Sequence, residues 1–117
     1  MDLASVMTIF NMLSHQSGAE FLPLIQLSIM EVKKGLRADA DKTDSRLVYL
    51  AGAIANLRYV ELDCVREKQM LTISGGIAVN SNSSERYELA KRIAGEYQGL
   101  CTDLLADNDF VFFGTKG

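Results

Sequence analysis

From Ser45 to Glu67 the chain carries a helix-length run in which small and apolar side chains occupy almost the whole circumference. A helix without a clean polar face has to be covered on several sides. In a chain of 117 residues, such a run is the hub of a helical bundle or is buried between copies of the chain. Ala51, Gly52, Ala53 and Ala55 add a second property, because residues this small let a neighbouring helix approach closely.

A length of 117 residues corresponds to one ordinary domain, residues 1–117, with enough buried surface for a core without staples. Cys64 and Cys101 both fall in apolar helical patterns and are expected as free, buried thiols. Met1-Asp2-Leu3 opens with an acid where an export signal needs bases, and the first Lys or Arg is Lys33, so the expected setting is cytosolic. The net charge of −3 and a pI of about 5.1 argue against a protein that grips nucleic acid through a basic face. The longest apolar stretch, Phe21 to Met30, is roughly half the ~20 residues of a membrane-spanning helix, and no membrane role is expected.

The pattern predicts a mainly α fold, a bundle of about four helices with a small β-hairpin between the last two long ones. Asp2 to His15 places Leu3, Val6, Met7, Ile9, Phe10 and Leu13 at helical spacing, and Gln16-Ser17-Gly18 supplies a stop. A second helix is expected from about Gly18 or Ala19 to Leu36, with Pro23 tolerated in its first turn. Thr43 or Asp44 is the expected N-cap of the hub. Leu71-Thr72-Ile73-Ser74-Gly75-Gly76-Ile77-Ala78-Val79 changes to a strand-like period around a Gly-Gly turn, and reads as a hairpin arm over about residues 70–80. Asn82 and Glu85 resemble a capping box for the last helix. Its expected stripe is Tyr87, Ala90, Ile93, Ala94, Tyr97, Leu100, Cys101, Leu104 and Leu105. Residues 107–117 follow as an aromatic tail.

Candidate chemistry is sparse. The acidic run from Asp39 lacks a glycine at the sixth position of a calcium loop, which is Asp44, and a carboxylate at the twelfth, which is Leu50; it reads as a helix-capping linker. His15 is the single histidine and has no partner set for a metal; as a helix-terminal residue it complements the dipole. Ser74-Gly75-Gly76 is neither a phosphate loop nor a dinucleotide fingerprint. No nucleophile motif accompanies His15, and the expectation is a protein that is not an enzyme and carries no cofactor or metal. Asn56 and Arg58 stand out as polar residues amid the apolar hub. Arg58 either pairs within the chain, with Glu61 or Asp63, or reaches, as Asn56 could, to a neighbouring copy and fixes the register of an assembly.

The alanine-rich segment Arg46-Leu47-Val48-Tyr49-Leu50-Ala51-Gly52-Ala53-Ile54-Ala55-Asn56-Leu57-Arg58-Tyr59, together with the closing Asp107-Asn108-Asp109-Phe110-Val111-Phe112-Phe113-Gly114, resembles the small head-tail connector proteins of phages and prophages of Gram-positive hosts, also called neck or adaptor proteins. The order of elements is similar over nearly the whole chain, although Pro23 and the very apolar second helix have no counterpart in that pattern. The resemblance implies a structural role. Copies form a homo-oligomeric ring on the portal and present a surface to the next neck or tail protein, in the host cytoplasm during assembly and then in the virion. DNA passes nearby without specific binding. On this reading the interaction residues are Asn56 and Arg58 on the hub, Leu71, Ile73, Ile77 and Val79 on the hairpin, and Phe110, Phe112 and Phe113 on the tail.

Two other classes compete. One is a small helical regulatory or protein-binding module that acts as a dimer; the other is a small enzyme acting through His15 or a cysteine. Ring against dimer separates the first two.

Overall fold

The computed structural model describes residues 1–73 and 83–106, with side chains described for 1–69 and 83–106. Among the described residues there are four helices: α1 (Leu3–Ser14), α2 (Leu22–Gly35), α3 (Arg46–Ile73) and α4 (Ser83–Leu100). Helix α3 packs against all three others, α1 and α2 also pack on each other, and α4 packs on α3 alone.

The hub behaves as its composition demands. Every residue from Leu50 to Leu57 is buried, which is two turns of helix closed on all sides. Val6 and Phe10 of α1, Ile25 and Val32 of α2, and Ala94 of α4 complete the core around Leu47, Leu50, Ile54 and Leu57. Full burial of an aliphatic side chain of this size contributes about 1.5–3 kcal/mol, so this cluster dominates the stability. Tyr59 meets Phe10 and Phe21 edge to face and the two phenylalanine rings are tilted on each other, with centroids 5.0–6.0 Å apart, which ties α1 and the entry to α2 onto the middle of α3.

Local chemistry sets the ends. The Asp2 carboxylate accepts a hydrogen bond from the Ser5 N–H and starts α1. His15 closes it in the left-handed region, φ 59°, donating its N–H to the Asn11 carbonyl. The stop is therefore at His15, ahead of the expected Gln16-Ser17-Gly18. Gly18 instead lies against α1, giving its N–H to Asn11 Oδ1 at 2.6 Å. Turns through residues 18–21 delay α2 to Leu22, with Pro23 in its first turn. The acidic linker works as caps: Asp41 Oδ1 accepts from the Thr43 N–H and hydroxyl, and Asp44 Oδ1 accepts from the Arg46 N–H.

Two expectations need correction. Helix α3 continues through Leu71 and Ile73, so the first strand of the expected hairpin is helical over those residues. Arg66-Glu67-Lys68-Gln69-Met70-Leu71 are all good helix formers and carry the helix on, where three alternating residues are too few to fix a strand period. The rest of the expected hairpin, Ile77 and Val79 included, lies outside the described residues, as does Asn82 of the capping box. Helix α4 stops at Leu100, and Cys101 to Leu104 form turns. Those turns bring the chain back to α2, where Leu36 pairs with Leu105, Arg37 N–H donates to the Leu104 carbonyl at 2.9 Å, and Ala106 N–H donates to the Gly35 carbonyl at 2.8 Å. Cys101, Leu104 and Leu105 are buried there, whereas Leu100 is 59% exposed.

Candidate functional site

Helices α1 and α4 both pack on α3 but not on each other, which leaves a shallow groove along the hub that is closed midway over the fully buried Ala53. On α4 the residues Arg86, Leu89, Ile93, Tyr97 and Leu100 follow a three-four spacing and share one face. Opposite them, Arg46, Tyr49, Asn56 and Val60 lie along one edge of α3 by the same spacing rule. Two cavities open on this seam. One, about 200 Å³, is lined by Leu13, Ser14 and His15 from the end of α1, by Asn56, Tyr59 and Val60, and by Arg86, Leu89, Ala90 and Ile93. The other, about 260 Å³, is lined by Arg46, Tyr49, Tyr97 and Leu100, with the two tyrosine rings 6.0 Å apart. Apolar side chains on this seam face water: Tyr49 is 44% exposed and Leu89 53%.

Asn56 is the polar group on the floor. It is only 5% exposed and makes no hydrogen bond through its side chain among the described residues. Fully enclosed side-chain nitrogens and oxygens are all partnered among the described residues, so the Asn56 amide reaches water through the cavity it lines. Water supplies the bonds of this carboxamide in the free chain, and a polar group entering the cavity would have to replace that water bond for bond.

Charged groups at both ends of the groove are committed to structure. Arg46 donates to Asp44 at 2.8 Å, to Asp103 at 2.9 Å and to the Leu100 carbonyl at 2.8 Å, and so clamps the start of α3 to the turn after α4. The hydrogen bonds from this guanidinium hold the Asp44 carboxyl down at about 2 and lower that of Asp103. At the other end Arg86 bridges Asp63 at 2.8 Å and Glu67 at 3.7 Å, and the Ser83 hydroxyl donates to Glu67 at 2.8 Å.

The structure separates the two polar hub residues that the sequence pairs. Asn56 faces the groove, while Arg58 turns to α2, bonding Glu61 at 2.9 Å and Glu31 at 3.4 Å. The intrachain partner Glu61 is one of the two expected from spacing, whereas Asp63 serves Arg86 instead. Leu71 and Ile73 are in the last turn of α3. Phe110, Phe112 and Phe113 lie outside the described residues. Tyr49, Leu89, Tyr97 and Leu100 were not marked as a site by the sequence, although the three-four spacing from Arg86 to Leu100 is a signal that could have found the α4 wall.

Cys64 and Cys101 are free and buried; Cys64 Sγ donates to the Ser83 carbonyl at 3.3 Å, and burial raises the Cys101 thiol above its ordinary value. Among the described residues no cluster of three or more His, Cys, Asp or Glu is placed to hold a metal ion, and no helix is long and apolar enough to cross a membrane. No protein-family model, curated protein or solved structure matches the chain.

Proposed function

We propose that this chain is a self-associating structural subunit, and that it serves as a ring-forming head-tail connector of a phage or prophage, joined to the portal on one side and to the next neck or tail protein on the other. The observation that carries the self-association is the exposure of large apolar side chains on two sides of the molecule that do not touch. Leu89 and Leu100 on α4 are 53% and 59% exposed, and Leu27 and Met30 on α2 are 49% and 63% exposed, while α2 and α4 do not pack on each other. Exposed apolar side chains also occur on α1 and α3, and apolar side chains on two helices that do not pack together can serve the two different contacts of a head-to-tail ring. The resemblance of residues 46–59 and 107–114 to connector proteins gives the ring its proposed place in the virion. The acidic balance suits a channel lining past which DNA slides without sticking.

A second reading, a helical regulatory module acting as a dimer, draws on the same groove. The test is sedimentation velocity of the purified chain over a range of concentrations, alone and with a phage portal ring. The connector reading expects a single closed species larger than a dimer, alone or bound to the portal. A dimer at every concentration that ignores the portal contradicts it and favours the regulatory module.

A further inference from the structure

The face of α4 that borders both cavities carries a length, apolar side chains and a charge that the same chain can satisfy, and we propose that it receives the outer face of α2 from a second copy. The inference rests on the self-association proposed above and names its interface. Helix α4 has 18 residues, about 27 Å, and the 14 residues of α2 span about 21 Å, so α2 fits within the wall it would lie against. A helix laid into an apolar groove is anchored by side chains three or four apart, and Leu27 and Met30 are such a pair, both exposed.

Charge points the same way. The exposed carboxylates of α4 are Glu85, Glu88 and Glu96, against Arg92 and the half-buried Lys91, while Arg86 is held by Asp63 and Glu67. Helix α2 ends in exposed Lys33 and Lys34, and its one acid, Glu31, is held by Arg58. Laid antiparallel to α4, α2 brings its lysines to Glu85 and Glu88 and its apolar pair toward the two cavities. Complementary charge of this sort fixes orientation and partner. Gln26, exposed one turn before Met30, carries a carboxamide that replaces water on Asn56 bond for bond.

The test is disulfide trapping between two variants, Met30→Cys in one preparation and Leu89→Cys in another, mixed under mild oxidation. Both positions are exposed, so folding is retained and circular dichroism checks it, and the native cysteines are buried and do not compete. The expected result is a covalent dimer in the mixture at several times its yield in either variant alone. Equal yields overturn the proposal, because a disulfide needs the two positions in direct contact. Sedimentation of the unmodified chain in the same buffer separates the two failures: association without the mixed trap leaves a self-assembling protein that uses another surface, and a chain that never associates removes both readings.

Discussion

Gly52 on α3 faces Ile9 on α1 so closely that a Cβ at position 52 would sit 2.5 Å from Ile9 Cγ2 and 2.6 Å from Ile9 Cβ. The absence of a side chain at position 52 sets the separation of the two helices. Replacing Gly by Ala in an exposed helix interior stabilises by about 1 kcal/mol. Here overpacking, about 1–3 kcal/mol, opposes that gain. Gly52→Ala should therefore destabilise, and Ile9→Ala should lose less in that background than in the native chain. Urea denaturation of the double-mutant cycle checks it; a Gly52→Ala protein more stable than the native one would place α1 elsewhere.

Leu50 and Ile54 lie one turn apart at the centre of the fully enclosed part of α3. Leu50→Ala and Ile54→Ala should each cost about 2–5 kcal/mol, as truncations of packed core side chains do. Lys91→Ala, which removes a half-buried side chain outside the core, should change the melt little. Thermal or chemical denaturation that finds both core substitutions silent would contradict the hub assignment.

The Arg46 clamp predicts an acid limb in the stability curve. Asp44 at about 2 and the lowered Asp103 stand below the ordinary carboxylate value of 3.8 that they regain on unfolding. Groups depressed in the folded state contribute in full above the unfolded value, and the contribution is lost as pH falls from about 4 toward 2. All three side chains face solvent, so the effect is small and screened by salt. In Arg46→Gln the stability loss should be constant above about pH 5 and shrink toward pH 2. Urea midpoints across that range read it, and a loss that grows with acid would have the wrong sign.

Glu31→Gln removes the α2 partner of Arg58 but leaves Glu61 in place. Because both ends of the pair reach solvent, the cost should stay within about 1 kcal/mol. A loss of several kcal/mol would mean that the pair is sealed between α2 and α3.

The hub was legible because composition alone forced it: a run of small and apolar residues on every side of a helix has only one kind of environment. Cap chemistry at the start of α3, expected of Thr43 or Asp44 and supplied by Asp44, was legible for a related reason, since an acid two residues from an orphan N–H is a local arrangement; the Asp2 cap of α1 was not read. The groove was not. Its walls come from residues 86–100 and 46–60, and its floor residue Asn56 is distinguished from Arg58 only by which neighbour each meets, Arg58 turning to Glu31 of α2. Leu100 fits the apolar stripe of α4 yet is exposed, because the helix ends there and Cys101, Leu104 and Leu105 turn back to α2. Periodicity describes a face and says nothing about where its partner helix stops. Leu71 to Ile73 misled for a different reason: three alternating residues carry too little period to outweigh the helix formers before them.

Native mass spectrometry of the purified chain, titrated from dilute to concentrated and then mixed with a phage portal ring, decides whether copies close into a ring. The account predicts one discrete oligomer larger than a dimer, present alone or on the portal, and lost in Lys33→Glu/Lys34→Glu. A chain that stays monomeric or dimeric throughout, with the portal ring unoccupied, would contradict it.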